Sequence, residues 1–123
     1  MWKTATRLKR SNMTAFEFVK CFKDQKDELL AIYCDGSSQT AVGSMIESLD
    51  LSDEKKVTMQ RIVDTILTDA FYGILLGLDG AGALGTKQQG YTIRDEEGGL
   101  ITAADDGELG GPAYELFQEE GAA

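Results

Sequence analysis

The sequence predicts an α+β domain in which a helical core of three helices is followed by a C-terminal β-hairpin and a short final helix. Three observations carry this prediction. Apolar residues recur at helical spacing over residues 16–33, 41–49 and 59–78. Ten of the fourteen glycines fall within residues 77–111, so regular helix is not expected to continue there. Within that stretch, Tyr91-Thr92-Ile93-Arg94-Asp95 and Leu100-Ile101-Thr102-Ala103 alternate like half-buried strands around Glu96-Glu97-Gly98-Gly99. A chain of 123 residues fits one domain and buries about two-thirds of its unfolded surface, enough for a core without staples.

Residues 1–12 read as a polar, basic arm, expected to be loosely held. Thr14-Ala15-Phe16-Glu17 matches a capping box, so the first helix is expected over about 14–34, stopped by Asp35-Gly36. Its apolar residues Phe18, Val19, Phe22, Leu29, Leu30 and Tyr33 leave a polar gap at residues 23–28. Ser37 or Ser38 is the expected cap of a short second helix with the stripe Ala41, Val42, Met45, Ile46 and Leu49. Ser52 then caps the third, with Asp53 and Glu54 where the helix dipole favours acids. Its stripe, from Met59 to Leu78, spans five to six turns and makes it the expected central helix. Gly73 and Gly77 share a face and predict close approach of another backbone. Asp79-Gly80 stops the helix. After the hairpin, Gly111-Pro112 starts the final helix, with Pro112 at its first position and Tyr114, Leu116 and Phe117 as anchors. The organisation is one domain: arm 1–12, helical core 14–79, and a glycine-rich loop, acidic hairpin and short helix over 80–123.

Composition narrows the chemistry. There is no histidine, so Ser-His and Cys-His nucleophile pairs are excluded, and zinc lacks its usual ligands. Cys21 and Cys34 lie thirteen residues apart along one expected helix. At 1.5 Å per residue that is about 20 Å, beyond disulfide reach, so reduced thiols and a cytoplasmic location are expected. No apolar run approaches a membrane span, and the basic N-terminus is not followed by a signal-type apolar region. Gly80-Ala81-Gly82-Ala83-Leu84-Gly85 spells a dinucleotide fingerprint in reversed context, helix before and strand after, and reads as a connector. Asp105-Asp106-Gly107-Glu108 lacks the spacing of a calcium loop. Asp64 and Asp69 are the acids inside the apolar part of the third helix; Asp69, between Leu67 and Phe71, is the preferred candidate for a partly buried acid, with a structural role favoured. No catalytic residue, metal site or cofactor is expected, and the protein reads as a non-enzyme.

Charge points instead to binding. Residues 1–26 carry a net +5 and residues 27–123 a net −14, giving −9 overall. Such a protein repels nucleic acid and anionic lipid and is steered toward a basic protein surface. The acids concentrate around the hairpin. The expected contact residues are Asp95, Glu96, Glu97, Asp105, Asp106 and Glu108, with Tyr91 as an aromatic anchor. With Trp2 and four basic residues among the first ten, a nucleic-acid arm is conceivable, but the net −14 of the rest argues against it. A tag-like or frayed terminus is the expectation, and attraction of the arm to the acidic half is a third reading. Residues 67–80, read Leu-Thr-Asp-Ala-Phe-Tyr-Gly-Ile-Leu-Leu-Gly-Leu-Asp-Gly, with the hairpin and Gly107-Glu108-Leu109 after them, resemble the immunity proteins of bacterial polymorphic-toxin and contact-dependent growth inhibition systems. The resemblance covers the C-terminal half and carries over no functional residues. It implies a cytosolic, non-enzymatic protein that binds and blocks one cognate toxin domain. The acids of the hairpin region add the expectation of a basic toxin, for example a nuclease, whose active site they occlude. The alternative is a homo-oligomeric structural or regulatory module, with Ile74, Leu75, Leu76 and Leu78 covered by a symmetry mate.

Overall fold

Helix termini set the frame of the computed structural model, which describes residues 9–36 and 39–119. Helix α1 (Ala15–Tyr33) opens on the expected capping box: the Glu17 amide donates to Thr14 Oγ1 at 3.1 Å and the Thr14 amide to Glu17 Oε1 at 2.9 Å. Helix α2 (Ala41–Ser48) is capped by Thr40, whose hydroxyl accepts from the Gly43 amide at 2.9 Å. The cap is therefore neither Ser37 nor Ser38, which lie outside the described residues. Ser52 caps α3 (Asp53–Asp79) as expected, and left-handed Gly80 (φ 86°) closes it. Strands β1 (Ile93–Arg94) and β2 (Leu100–Thr102) pair antiparallel, Ile93 opposite Thr102 and Arg94 opposite Leu100. Helix α4 (Gly110–Tyr114) runs into a π turn (Glu115–Glu119), with Pro112 third in the helix rather than first. The α+β class is as the sequence predicts. Among the described residues no helix is long and apolar enough to cross a membrane.

The core differs in one member. Its buried residues are Val19 of α1, Leu75 of α3, and Leu109, Ala113, Leu116 and Phe117 of the C-terminal segment, ringed by Phe18, Phe22, Phe71, Leu78 and Ile93. Edge contacts link Phe18 to Phe22 (5.3 Å between ring centroids) and Phe22 to Phe71 (6.2 Å). The third helical partner is thus α4 with its π turn, not α2. Helix α2 is only two turns long and seats Gly43 against the end of α1, leaving Met45 and Leu49 exposed. The π turn places consecutive Leu116 and Phe117 both inward, whereas Tyr114, expected as an anchor, is exposed.

Asp79 fastens α4 to α3. Leu109 precedes α4 and has no side-chain acceptor with which to cap it. The Asp79 carboxylate takes that place from thirty residues away: Oδ1 accepts from the Leu109 amide at 2.9 Å and Oδ2 from the Gly110 amide at 3.2 Å. A second cross-link joins α1 to α3. Lys26 is buried and its ammonium pairs with the Asp64 carboxylate, with Asp27 at 3.7 Å. Lys26 sits in the polar gap of the first helix, yet in phase with Val19, Phe22 and Tyr33. Asp64 is in phase with Phe71 and Leu75. Asp69, the expected candidate for partial burial, faces solvent.

The N-terminal segment is a further correction. Residues 9–12 were expected to end a loose arm, but Lys9 and Ser11 hydrogen-bond β2: the Leu100 amide donates to Lys9 O at 2.8 Å and the Ser11 amide to Leu100 O at 2.9 Å, making a parallel bridge at Arg10. The arm's first eight residues lie outside the described residues. Gly77 allows the expected close approach, with Leu84 Cα 3.2 Å from where a Cβ would stand, but a Cβ on Gly73 would meet nothing within 4 Å.

Two stability outcomes follow from these links. Replacing Asp79 by Ala leaves two amides at the start of α4 without their acceptor and is expected to cost about 1–2 kcal/mol, with Asp79→Asn milder, read as a lowered urea midpoint at unchanged slope. Asp64→Ala strands a buried ammonium and is expected to cost about 1–3 kcal/mol, more than Lys26→Met, which leaves a carboxylate that water already reaches; equal losses would contradict the burial asymmetry.

Candidate functional site

The seven expected contact residues do not form one patch, because β2 stands between two groups of them. At the hairpin tip, the chain turns from Asp95 to Gly99: the Gly98 amide donates to Asp95 O at 3.0 Å and the Asp95 amide to Gly99 O at 2.8 Å. Asp95 Oδ1 accepts from the amides of Glu97 (2.9 Å) and Gly99 (2.8 Å). The Ser11 hydroxyl adds a third bond. That bond, then the Gly99 amide, hold the Asp95 carboxyl below its ordinary value of 3.8, with smaller help from the Glu97 amide and the Lys9 charge. A Cβ at Gly99 would lie 2.7 Å from Ser11 Cα, so only glycine lets the arm pass the tip. Asp95 is therefore occupied in building the turn, while Glu96 and Glu97 project into solvent.

The other end of β2 runs into a turn at residues 103–106, closed by the Asp106 amide on Ala103 O at 3.0 Å. Asp105 and Asp106 are exposed on it. Tyr91 belongs to this end: Gly90 packs directly on the Ala104 backbone, and the Ala104 amide donates to Thr92 Oγ1 at 3.1 Å. The Tyr91 ring is half-buried, and its hydroxyl accepts from Gln89 Nε2 at 3.2 Å. The three residues of β2 separate the two acidic ends by about 10 Å, and the turns add to that. Glu108 belongs to neither end. It turns back to Arg10, 3.9 Å away, and so ties the arm to the loop before α4.

Among the described residues, the basic arm meets the acidic half at Arg10–Glu108, and the charge of Lys9 adds a minor favourable effect at Asp95. What remains for a partner is two acidic pairs, Glu96 with Glu97 and Asp105 with Asp106. None of the four side chains has an ion pair or hydrogen bond among the described residues.

A separate cleft of about 280 Å³ lies between the C-terminal end of α1, α2 and the start of α3, lined by Cys34, Glu47, Lys56 and Met59 among others. Burial first, and the charge of Asp35 second, push the Cys34 thiol above its ordinary value of 9.0. That keeps it protonated, the reverse of an activated nucleophile. Cys21 and Cys34 are both free thiols. Among the described residues no group of three carboxylates or thiols is placed to hold a metal ion. The connector at residues 80–87 is held by a bridge between Leu84 and Lys87 and by Gln88 Nε2 on Gly80 O (3.1 Å).

Sequence reasoning missed Asp79 as a structural acid and Lys26 as a buried cation, and preferred Asp69 to Asp64 as the partly buried acid of α3. The signal was present for Lys26 and Asp64, since both fall in phase with apolar rows. It was absent for Asp79, whose partners are backbone amides of distant residues. Comparison with protein-family models, curated proteins and solved structures finds no match for the chain.

The Asp95 arrangement makes a pH prediction. A carboxyl lowered in the folded state contributes stability that is complete above the ordinary value and is lost as pH falls through the lowered one. Its side-chain carbon resonance is expected to titrate below 3.8, and Ser11→Ala is expected to move that midpoint upward. An ordinary midpoint in the unaltered protein would mean that the Ser11 and Gly99 bonds are not formed in solution.

Proposed function

We propose that this chain is a non-enzymatic binding protein that engages a basic protein surface through its two acidic turns. The observation that carries the reading is the sorting of acids. Asp64, Asp79, Asp95 and Glu108 are engaged inside the fold, while Glu96, Glu97, Asp105 and Asp106 project from the two ends of one short hairpin with no ion pair among the described residues. Two like-charged pairs about one strand length apart suit a groove or ridge of lysines and arginines on a partner and favour fast, salt-sensitive association. Tyr91 supplies a rigid, half-buried ring beside the second pair. The resemblance to immunity proteins of toxin systems is consistent with this role, and a basic toxin domain, such as a nuclease whose phosphate-binding site the acids would cover, is the proposed class of partner. The proposed location is the cytoplasm, where the free thiols stay reduced.

The test uses the full chain as bait in lysate of its native host. It is compared with Glu96→Lys/Glu97→Lys and Asp105→Lys/Asp106→Lys variants, each first shown to keep the helical signal of the parent. The expected result is one basic protein captured in stoichiometric amount, lost on raising salt, and reduced about tenfold or more by at least one variant. Capture unchanged by both variants would sink the site, and no basic partner at low salt would sink the function.

A further inference from the structure

The apolar stripe of α3 is two parallel rows, and the fold covers one of them. Met59, Val63, Leu67, Phe71 and Leu75 form the row that turns toward α1 and the C-terminal segment. Ile62, Ile66, Ala70 and Ile74 form the other, and all four are exposed, Ile62 at 47% and Ile66 at 60%. Beside this ridge runs a row of smaller side chains, Thr65, Asp69, Gly73 and Gly77. The Thr65 hydroxyl donates to the Arg61 carbonyl at 2.7 Å. Thr58, Arg61, Ile62, Thr65 and Ile66 line a shallow open groove of about 330 Å³. The chain shows what this row accepts: at its far end Leu84 packs on Gly77, its Cβ 3.0 Å from where a glycine Cβ would stand. Among the described residues, nothing lies within 4 Å of where a Cβ on Gly73 would stand.

The residues the alternative reading named for a symmetry mate are mostly not those on this face. Leu75 is fully buried, Leu76 and Leu78 are partly buried, and Ile74 alone is exposed. The uncovered surface lies further toward the start of α3.

We infer that this face docks a second copy of the chain, α3 against α3 in antiparallel sense about a two-fold axis near Thr65. The argument is self-complementarity. A two-fold near Thr65 sets the exposed isoleucine rows of the two copies against one another, with Ile62 and Ile66 of one copy alternating along the seam with Ile66 and Ile62 of the other. Charge fixes the sense. Arg61 and Asp69 flank the ridge four residues to either side of Thr65, both exposed, and neither has an ion-pair partner among the described residues. Rotation about Thr65 sets Arg61 of each copy opposite Asp69 of the other. A parallel pairing would set like charges together instead. This inference stands apart from the acidic turns, which lie on the hairpin.

One helix pair is smaller than a standard interface, so weak self-association is expected, with Kd on the order of 10–100 µM. The measurement is sedimentation equilibrium of the full chain in about 0.15 M salt, where screening beyond ~8 Å blunts repulsion between two chains of net charge −9. Ile66→Asp is expected to weaken dimerisation about tenfold or more. Arg61→Glu and Asp69→Arg are each expected to weaken it about threefold, and together to restore it to within about twofold. All three positions are on the surface, and far-UV circular dichroism checks each fold. A protein monomeric throughout the micromolar range overturns the inference. So does a dimer indifferent to Ile66→Asp, or one weakened by each charge change and not rescued by the pair.

Discussion

The architecture depends on one carboxylate. Helix α4 is short, begins at two glycines, and follows a leucine that has no means of capping it. A five-residue helix has no stability of its own, since nucleation is unfavourable and few bonds repay it. Yet this segment delivers Leu109, Ala113, Leu116 and Phe117, most of the buried core. Asp79 resolves the conflict by accepting the first amides of that segment at the point where α3 ends. Gly80 then turns the chain away, so one dipeptide both terminates the long helix and anchors the start of the last one.

The basic arm has a comparable effect on the hairpin. Two strands of two and three residues are too short to persist unaided. Residues 9–11 add a parallel bridge at β2, Ser11 bonds the carboxylate that shapes the tip, and Arg10 reaches Glu108 beyond the far end. The hairpin is therefore gripped along its length by the N-terminal segment and packed through Ile93 and Ile101 on the core side.

Much of this was legible in the sequence because it is local. Capping residues, glycine stops and turn residues act over three or four positions, and α1, α3 and the hairpin fell where those signals put them. What was not legible is what depends on partners far along the chain. The polar gap at Lys26 looked like a break in the apolar stripe because periodicity counts carbon, whereas the position is a buried one supplied with a counter-charge from α3. The α3 stripe looked like a single core face because two rows at four-residue spacing, offset by one helical step, merge into one broad apolar band. Sequence cannot say which row the rest of the chain covers. Helix α2 was given a place in the core on its apolar content, but it seats at the C-terminal end of α1 by Ile32 and Tyr33, whereas the buried cluster forms around Val19, where the C-terminal segment docks.

The acids illustrate why charge counting locates a binding surface only coarsely. Six were picked out around the hairpin because they crowd together in sequence. In a turn, however, an aspartate at the first position is drawn to the amides of its own loop, and an acid facing a cationic strand neighbour is neutralised within the fold. Asp95 and Glu108 meet those two fates. The four that remain are held by turns whose backbone bonds are complete without them. Their charges are thus not required by the hairpin itself, and replacing them alters the surface field with little change in the structure that presents it.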